Sequence, residues 1–424
     1  MHSAFLCVLC GLIRSSWFLL ARIAWVALLL ACFAPPLLKF PSTPFCFTIA
    51  FPYITMSTML KLIANEFPVT GTFIKSEPLG TGHINDTLLV TFVENNSNHQ
   101  YVFQRINNSV FKEPLKVMQN IILVTQHLQK KHDIENSTVV ARTRMRFLQS
   151  KNGHYWCIDQ EGKYWRVYHY IDRTYTLDMV QTEANAYIAG AAFAKFQKEL
   201  ADLGGEKLHE TIPDFHNTPK RYHDFENAVD TDRYKRARSC KTEIDFAQTR
   251  SAVASAFAEL IKAGSVPVRI VHNDAKLNNV LIDETTHKGL CIIDLDTVMP
   301  GTILHDFGDL VRSSTSLSKE DEQDLSKVFV RLSLFTALAQ GYISEARDFL
   351  QKTEYENLVT AGKVIVFELG IRFLTDYLNG DTYFKIKYPE HNLVRCRTQF
   401  KLLQSIEMQE TQLQKIINSL IMCP

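Results

Sequence analysis

An aspartate, an asparagine five residues later and a second aspartate closing the next apolar run form the chemically richest part of this chain. The stretch reads His272-Asn273-Asp274-Ala275-Lys276-Leu277-Asn278-Asn279, followed by Cys291-Ile292-Ile293-Asp294. These residue types suit phosphoryl transfer from a magnesium nucleotide to a hydroxyl. Asp274 would orient and deprotonate the hydroxyl. Asn279 and Asp294 would supply the oxygen donors that hard magnesium prefers, alongside phosphate oxygens and water.

The spacing can be tested against strand geometry. Val280 to Asp283 and Leu290 to Ile293 are short apolar runs, and the polar stretch between them ends in Gly289, so they predict a hairpin. Symmetric pairing about that loop sets Asp283 opposite Leu290 and Asn279 opposite Asp294. Directly opposed residues have Cβ atoms roughly 4.5–5.5 Å apart, close enough to share one cation. His272 is expected to fix the loop by hydrogen bonds rather than carry a proton. Lys276 is positioned to reach the transferring phosphate, or else is a solvated surface lysine. Asp306-Phe307-Gly308 spells a kinase metal motif but follows the metal-bearing strand, so Asp306 is not expected to hold the metal; resemblance to small-molecule kinases implies that it bonds the backbone of the catalytic loop. Asp296 is a second carboxylate near the metal or a surface residue.

The elements needed to position these groups can be traced along the chain. From Glu77 to Val90 the sequence predicts strand, glycine turn, strand, with Gly80, Thr81 and Gly82 offering backbone N–H groups to phosphate. A third strand covers Gln100 to Ile106, and Pro114 to Lys131 has apolar residues at helical spacing. Trp156 to Asp159 and Tyr164 to Ile171 form a further hairpin, leading to a hinge at Tyr170-Ile171-Asp172 where adenine would lie. On the third strand Gln104 stands where a phosphate-gripping lysine is expected, unless a bulge swings Arg105 inward. Beyond Asp172 helices are expected at Glu183–Leu200, Glu243–Lys262, Lys319–Leu338, Tyr355–Leu378 and His391–Ile421. This is an α+β, bilobal, protein-kinase-like organisation: a small antiparallel lobe over residues 56–171 and a mainly helical lobe over 172–424.

The first 55 residues differ. They are strongly apolar, lack acidic side chains and are interrupted by Arg14, Arg22 and Lys39. Ile23 to Phe33 is shorter than the roughly 20 residues a spanning helix needs, and a longer span would bury Arg22. A signal anchor, a cleaved signal or an upstream stretch outside the working protein, with Met56 as the start, all fit; the last is preferred. The chain of 424 residues has a net charge of +1, which gives no reason to expect nucleic acid as a partner. Four of the nine cysteines lie in the first 55 residues; the other five, Cys157, Cys240, Cys291, Cys396 and Cys423, are scattered without metal-ligand spacing, and their sparse, odd number fits a reducing compartment. A cytoplasmic monomer is expected, tethered to a membrane only if the first 55 residues are a real anchor.

His272 to Asn279, together with Ile293-Asp294-Leu295-Asp296-Thr297-Val298-Met299-Pro300-Gly301, resembles the aminoglycoside phosphotransferase and choline kinase superfamily. Gly80 to Thr87, Arg372 to Leu378 and Lys387 to Arg395 extend the resemblance to its N-acetylhexosamine 1-kinase branch, which also resembles this chain in carrying glutamine on the third strand. The resemblance runs from about Phe67 to near the carboxyl terminus. It implies ATP and Mg2+ as cosubstrate and cofactor, and a small sugar, N-acetylglucosamine or N-acetylgalactosamine, phosphorylated at its anomeric hydroxyl. His83, His216, Arg312, Arg372 and Tyr383 are the candidate sugar-binding residues. Other acceptors within the same chemistry (choline, homoserine, methylthioribose, an aminoglycoside) remain open, as does a catalytically silent nucleotide-binding scaffold.

Overall fold

The computed structural model describes residues 55–80, 84–132, 142–204 and 207–422, which belong to one compact unit, Thr55–Pro424. The apolar amino-terminal stretch therefore lies outside the described residues. No helix among the described residues is long and apolar enough to cross a membrane.

The chain opens with α1 (Met56–Glu66), started by the Thr55 hydroxyl, which accepts from the Thr58 N–H. The strands β1 (Thr72–Pro78), β2 (Asp86–Glu94) and β3 (Ser97–Arg105) follow, then α2 (Pro114–His132), β4 (Cys157–Ile158) and β5 (Tyr164–His169). These strands form an antiparallel sheet in the order β1-β2-β3-β5-β4. On one side, Leu60 and Ile63 of α1 pack with Val90, Phe92, Tyr101, Phe103 and Trp165. A second apolar cluster joins Val117, Met118 and Ile121 of α2 to Leu295 and Val298 beside the catalytic hairpin. Burial of such side chains stabilises by roughly 1.5–3 kcal/mol each, so α2 is fixed to the catalytic strands by its apolar stripe.

The remainder is mainly helical. After β6 (Thr174–Tyr175) come α3 (Glu183–Leu200), α4 (Thr218–Thr231), α5 (Lys241–Gln248) and α6 (Ser251–Lys262). The strands β7 (Arg269–Val271), β8 (Val280–Asp283), β9 (Gly289–Ile292) and β10 (Met299–Gly301) interrupt the helices, making a β10-β7 pair and a β6-β8-β9 sheet. Then follow α7 (Ile303–Ser314), α8 (Leu332–Ala346), α9 (Lys352–Glu356), α10 (Leu358–Leu378) and α11 (His391–Met422). Thr182 and Asn185 form a reciprocal capping box that starts α3. Helices α3 and α8 touch backbone to backbone: a Cβ on Gly190 would strike the Leu338 carbonyl, and one on Gly341 would strike the Tyr187 carbonyl. Helix α10 is buried along most of its length, in the largest apolar cluster. The fold is α+β, with a small antiparallel sheet beside a larger helical portion.

Three expectations need correction. The helix expected over Glu243–Lys262 is two helices, because the Thr249 hydroxyl back-bonds to the carbonyls of Asp245 and Phe246, both at 3.0 Å, at the break. The helix expected from Lys319 begins at Leu332. Before it, Asp324 turns the chain by accepting from the Ser326 N–H and hydroxyl. Finally, the catalytic hairpin is out of the expected register by one residue: Val280 faces Ile292 and Leu281 faces Cys291, so Asn279 falls opposite Ile293. The Ile293 N–H donates to the Asn279 carbonyl at 2.9 Å. The cause is the turn. The Asp283 carboxylate accepts from the N–H groups of Thr285 and Thr286 at 3.0 and 2.8 Å. The Asp283 N–H reaches the Lys288 carbonyl at 3.0 Å. That closes a shorter loop and leaves a bulge after Leu281.

Candidate active site

The loop between β7 and β8 is built around buried acceptors. His272 is fully buried; its Nε2 donates to the Ile293 carbonyl at 3.0 Å and its Nδ1 accepts from the Asp274 N–H at 3.3 Å. That pattern assigns the Nε2–H tautomer. Asp306, in the first turn of α7, accepts from the N–H groups of His272 and Asn273 at 2.9 and 2.7 Å. Gln197 donates to the same carboxylate at 2.7 Å. Asn273 takes a left-handed φ of 64°, which turns the chain between the ring of His272 and the carboxylate of Asp274.

Asp274 and its neighbours converge as the motif requires. Lys276 Nζ lies 3.0 Å from Asp274 Oδ2, and Asn279 Nδ2 donates to the same oxygen at 3.2 Å. Among the described residues Oδ1 has no hydrogen-bond partner, which leaves it for an incoming hydroxyl. Burial alone would raise the Asp274 pKa, but the charge of Lys276 and its hydrogen bond outweigh it and hold the carboxyl below its ordinary range. The Asp274 charge in turn raises the Lys276 pKa. Asp274 is therefore an ionised acceptor at neutral pH.

Asp294 lies one residue beyond its expected pairing position and adopts a left-handed φ of 61°. Burial, then the carboxylates of Asp296 and Asp274, push its pKa up to about 6. Among the described residues its carboxylate has no hydrogen-bond or ion-pair partner. A carboxylate repelled by two others and lacking a donor among the described residues fits a divalent cation, and the Asn279 amide oxygen is a candidate second donor.

The third-strand position differs in kind from a phosphate-gripping lysine. The Gln104 side chain is buried, donating to Thr87 Oγ1 at 2.9 Å and accepting from Nε and Nη2 of Arg166 at 2.9 and 2.7 Å. Arg105 points to the other face, where its Nε and Nη2 donate to Asp86 at 2.8 and 2.6 Å. Arg166 is 1% exposed and also donates to both oxygens of Asp296, at 2.5 and 2.9 Å. Asn85 donates to Asp296 Oδ2 at 2.5 Å. Asp296 is thus a saturated buried carboxylate. Gly80 has a φ of +77° with open space where a Cβ would sit; Thr81, Gly82 and His83 lie outside the described residues. At the hinge, Arg142 donates to the carbonyls of Asp172 and Arg173 at 2.6 and 2.9 Å, and to Asp283 at 2.8 Å.

The candidate acceptor residues divide into two groups. His216, in the turn before α4, is held by the Glu368 carboxylate of α10 at 2.8 Å and by the Asn273 carbonyl at 3.0 Å, so it ties the catalytic loop to α10. Arg312 donates to Asp309 at 2.6 Å, and its charge is felt by Asp274. Arg372 has its guanidinium carbon 5.7, 5.9 and 5.6 Å from the ring centroids of Phe215, Tyr383 and Phe384. Among the described residues that guanidinium has no hydrogen-bond or ion-pair partner. Arg221 stands close enough that, after burial, the Arg372 charge lowers its pKa further. A separate cavity of about 390 Å³ is lined by His216, Asn273, Phe257 and His305 but by none of Asp274, Asn279 or Asp294; it is not the catalytic cleft.

Sequence reasoning missed Arg166, Asn85, Glu368 and Arg221. A charged residue inside the apolar strand Trp165-Arg166-Val167 was the available signal for the first; its partner depended on strand register.

Comparison with known proteins bears on family and fold. The profile of the APH phosphotransferase enzyme family matches residues 75–339. An aminoglycoside phosphotransferase from Alicyclobacillus acidocaldarius superposes with a TM-score of 0.54 at 12% identity, over 85% of this chain and 94% of that one. A spectinomycin phosphotransferase in complex with ADP and spectinomycin gives 0.49 at 10% identity, covering 85% and 96%. Choline kinase from Cryptosporidium parvum gives 0.49 at 13% identity, covering 85% and 98%. The likeness to the first of these, at 12% identity, speaks for the fold alone, and the profile match for the family. The chain belongs to the phosphotransferase enzyme family and carries that family's kinase-like fold.

Proposed function

We propose that this chain transfers the γ-phosphoryl group of ATP to the anomeric hydroxyl of an N-acetylhexosamine, giving the sugar 1-phosphate. Residues 56–171 act as the nucleotide lobe, with Gly80, Thr81 and Gly82 at the phosphates, and 172–424 as the catalytic and acceptor lobe. The observation that carries the reading is Asp274 Oδ1, which has no hydrogen-bond partner among the described residues, while Oδ2 is fixed by Lys276 at 3.0 Å and Asn279 at 3.2 Å. An anomeric hydroxyl is more acidic than an ordinary alcohol, so a carboxylate of depressed pKa suffices as base. The proton passes to Oδ1 as the hydroxyl oxygen bonds to phosphorus and the bond to ADP breaks. Lys276 stands to balance phosphate charge. Asn279 and Asp294 would hold magnesium, which when bound neutralises the phosphates. Most of the rate then comes from alignment and charge neutralisation.

The acceptor wall favours a sugar over a cationic alcohol. Arg372 within its aromatic box offers planar donors to sugar oxygens, and the neighbouring Arg221 adds to a positive field that opposes choline or an aminoglycoside. The buried free thiols of Cys157, Cys240, Cys291 and Cys396 suit a reducing, cytoplasmic setting. An assay of ADP release over N-acetylhexosamines, neutral hexoses and amino alcohols tests the reading. Turnover with N-acetylhexosamines supports it; turnover with choline or aminoglycosides alone replaces the acceptor. ADP binding with no turnover on any acceptor leaves only a nucleotide-binding scaffold.

A further inference from the structure

We propose that Arg166 is a positioning residue that sets the nucleotide cleft, joining the glycine turn, the third strand and the metal-bearing segment through Asp296. This rests on the phosphotransfer reading above.

The argument begins with strand pairing. Thr87, Gln104 and Arg166 are cross-strand partners on β2, β3 and β5, and their side chains bond in sequence across the sheet. Arg166 then leaves the sheet and grips Asp296 with both Nη atoms. Asp296 stands two residues after Asp294, so this fork determines where the metal-bearing segment lies relative to the sheet. Asn85 closes the circuit. It lies just past the glycine turn, donates to Asp296 Oδ2 at 2.5 Å, and accepts from the Asn107 N–H at 2.9 Å. The segment after the glycine turn therefore meets the Asp296 carboxylate directly, and the third strand reaches it through Arg166.

The chemistry suits positioning rather than direct contact with phosphate. Four of the guanidinium's hydrogen bonds are spent on Gln104 and Asp296, two on each, and the fork geometry fixes direction as well as distance. Helix α2 contributes only Met118 Sδ, 3.8 Å from Nη1. The carboxylate that holds the cation thus comes from the catalytic segment and not from the helix behind the sheet. A glutamine on the third strand follows from this arrangement: an ammonium there would be driven against Arg166, whereas an amide oxygen accepts from it. A buried ion pair is weak evidence for stability by itself, so its place between separate elements of the fold is the more telling property.

The test uses the full chain with three variants: Arg166→Met, Arg166→Lys and the charge-matched double variant Arg166→Met with Asp296→Asn. ADP binding is measured by calorimetry with and without Mg2+, together with KM for Mg-ATP, KM for the acceptor and thermal midpoint. The expected result is a rise of about tenfold or more in the ADP dissociation constant and KM for Mg-ATP in all three, with the acceptor KM within about twofold of wild type. Arg166→Lys is expected to regain part of the stability but not the nucleotide KM, because an ammonium lacks the fork. The double variant removes the unpaired buried charge, so it keeps the test open if Arg166→Met fails to fold. Lowered thermal midpoints with unchanged nucleotide parameters would overturn the proposal and leave Arg166 as a structural residue. A wild-type chain that binds no ADP would overturn it together with the phosphotransfer reading, whereas wild-type turnover with indifferent variants would overturn this inference alone.

Discussion

Asn279 donates from one amide nitrogen to both the backbone carbonyl and the carboxylate of Asp274, at 2.9 and 3.2 Å. The asparagine therefore aims the carboxylate proposed as the base. Asp274→Asn keeps the shape of this cluster and removes the proton acceptor. It is expected to lower kcat by about 10²- to 10⁴-fold while changing ADP affinity little. Steady-state kinetics with calorimetric ADP binding check this; activity equal to wild type would remove Asp274 from its role.

Asp294→Asn should act on the metal requirement. The carboxylate has no protein donor among the described residues and two acidic neighbours that push its pKa up. Removing its charge is expected to raise the Mg2+ concentration for half-maximal activity by about 10- to 100-fold. Chelation should silence the wild type, and added Mg2+ should restore it. An unchanged Mg2+ titration in the variant would count against this site.

Arg372→Met tests the acceptor wall. It removes the guanidinium from its aromatic box while keeping a stem of similar bulk. The acceptor KM is expected to rise by about 10- to 100-fold with KM for Mg-ATP unchanged. If both constants move together, Arg372 is acting on the fold and not on the acceptor.

The His216–Glu368 pair predicts a pH window. Burial alone would raise Glu368, but the His216 charge reverses it and brings the carboxyl down to about 2 from its ordinary 4.5. Burial alone would lower His216, yet Glu368 raises it above its ordinary 6.5. The depressed acid contributes stability present above 4.5 and lost as pH falls through about 2. The raised histidine contributes stability present below 6.5 and lost as pH rises through its folded value. The thermal midpoint of wild type minus that of Glu368→Gln should peak between about pH 4.5 and 6.5. A difference that stays flat across that window and to either side would exclude the charged pair.

Much of the catalytic loop could be read from the sequence because its chemistry is local. His272, Asp274, Lys276 and Asn279 lie within one turn of chain, and Asp306 is reached by backbone N–H groups that only a buried acceptor can satisfy. Helix Glu183–Leu200 was expected with the bounds that the structure shows. What escaped depended on pairings between distant residues. The hairpin register turned on two hydrogen bonds to Asp283 within the loop. The Gln104–Arg166 contact required knowing that β3 and β5 are neighbours. The break at Thr249 interrupts an apolar pattern that continues through it.

The close contact of α3 with α8 gives a stability prediction away from the chemistry. Gly341→Ala drives a methyl group against the Tyr187 carbonyl, and no side chain can yield there. A loss of about 1–3 kcal/mol is expected, read from the shift of a denaturant unfolding midpoint, with little change in KM for either substrate in the protein that remains folded. A variant as stable as wild type would mean that the helices can separate at no cost.

Helix α7 holds Asp306 near its start and Arg312 near its end, six residues apart on one rod. At 1.5 Å per residue the separation is about 9 Å. The same rigid part therefore clamps the backbone that carries the base and presents a cation whose field reaches it. Registration of these two tools does not depend on a flexible joint, and a tilt of the rod would carry both along together rather than throw one out of true with the other.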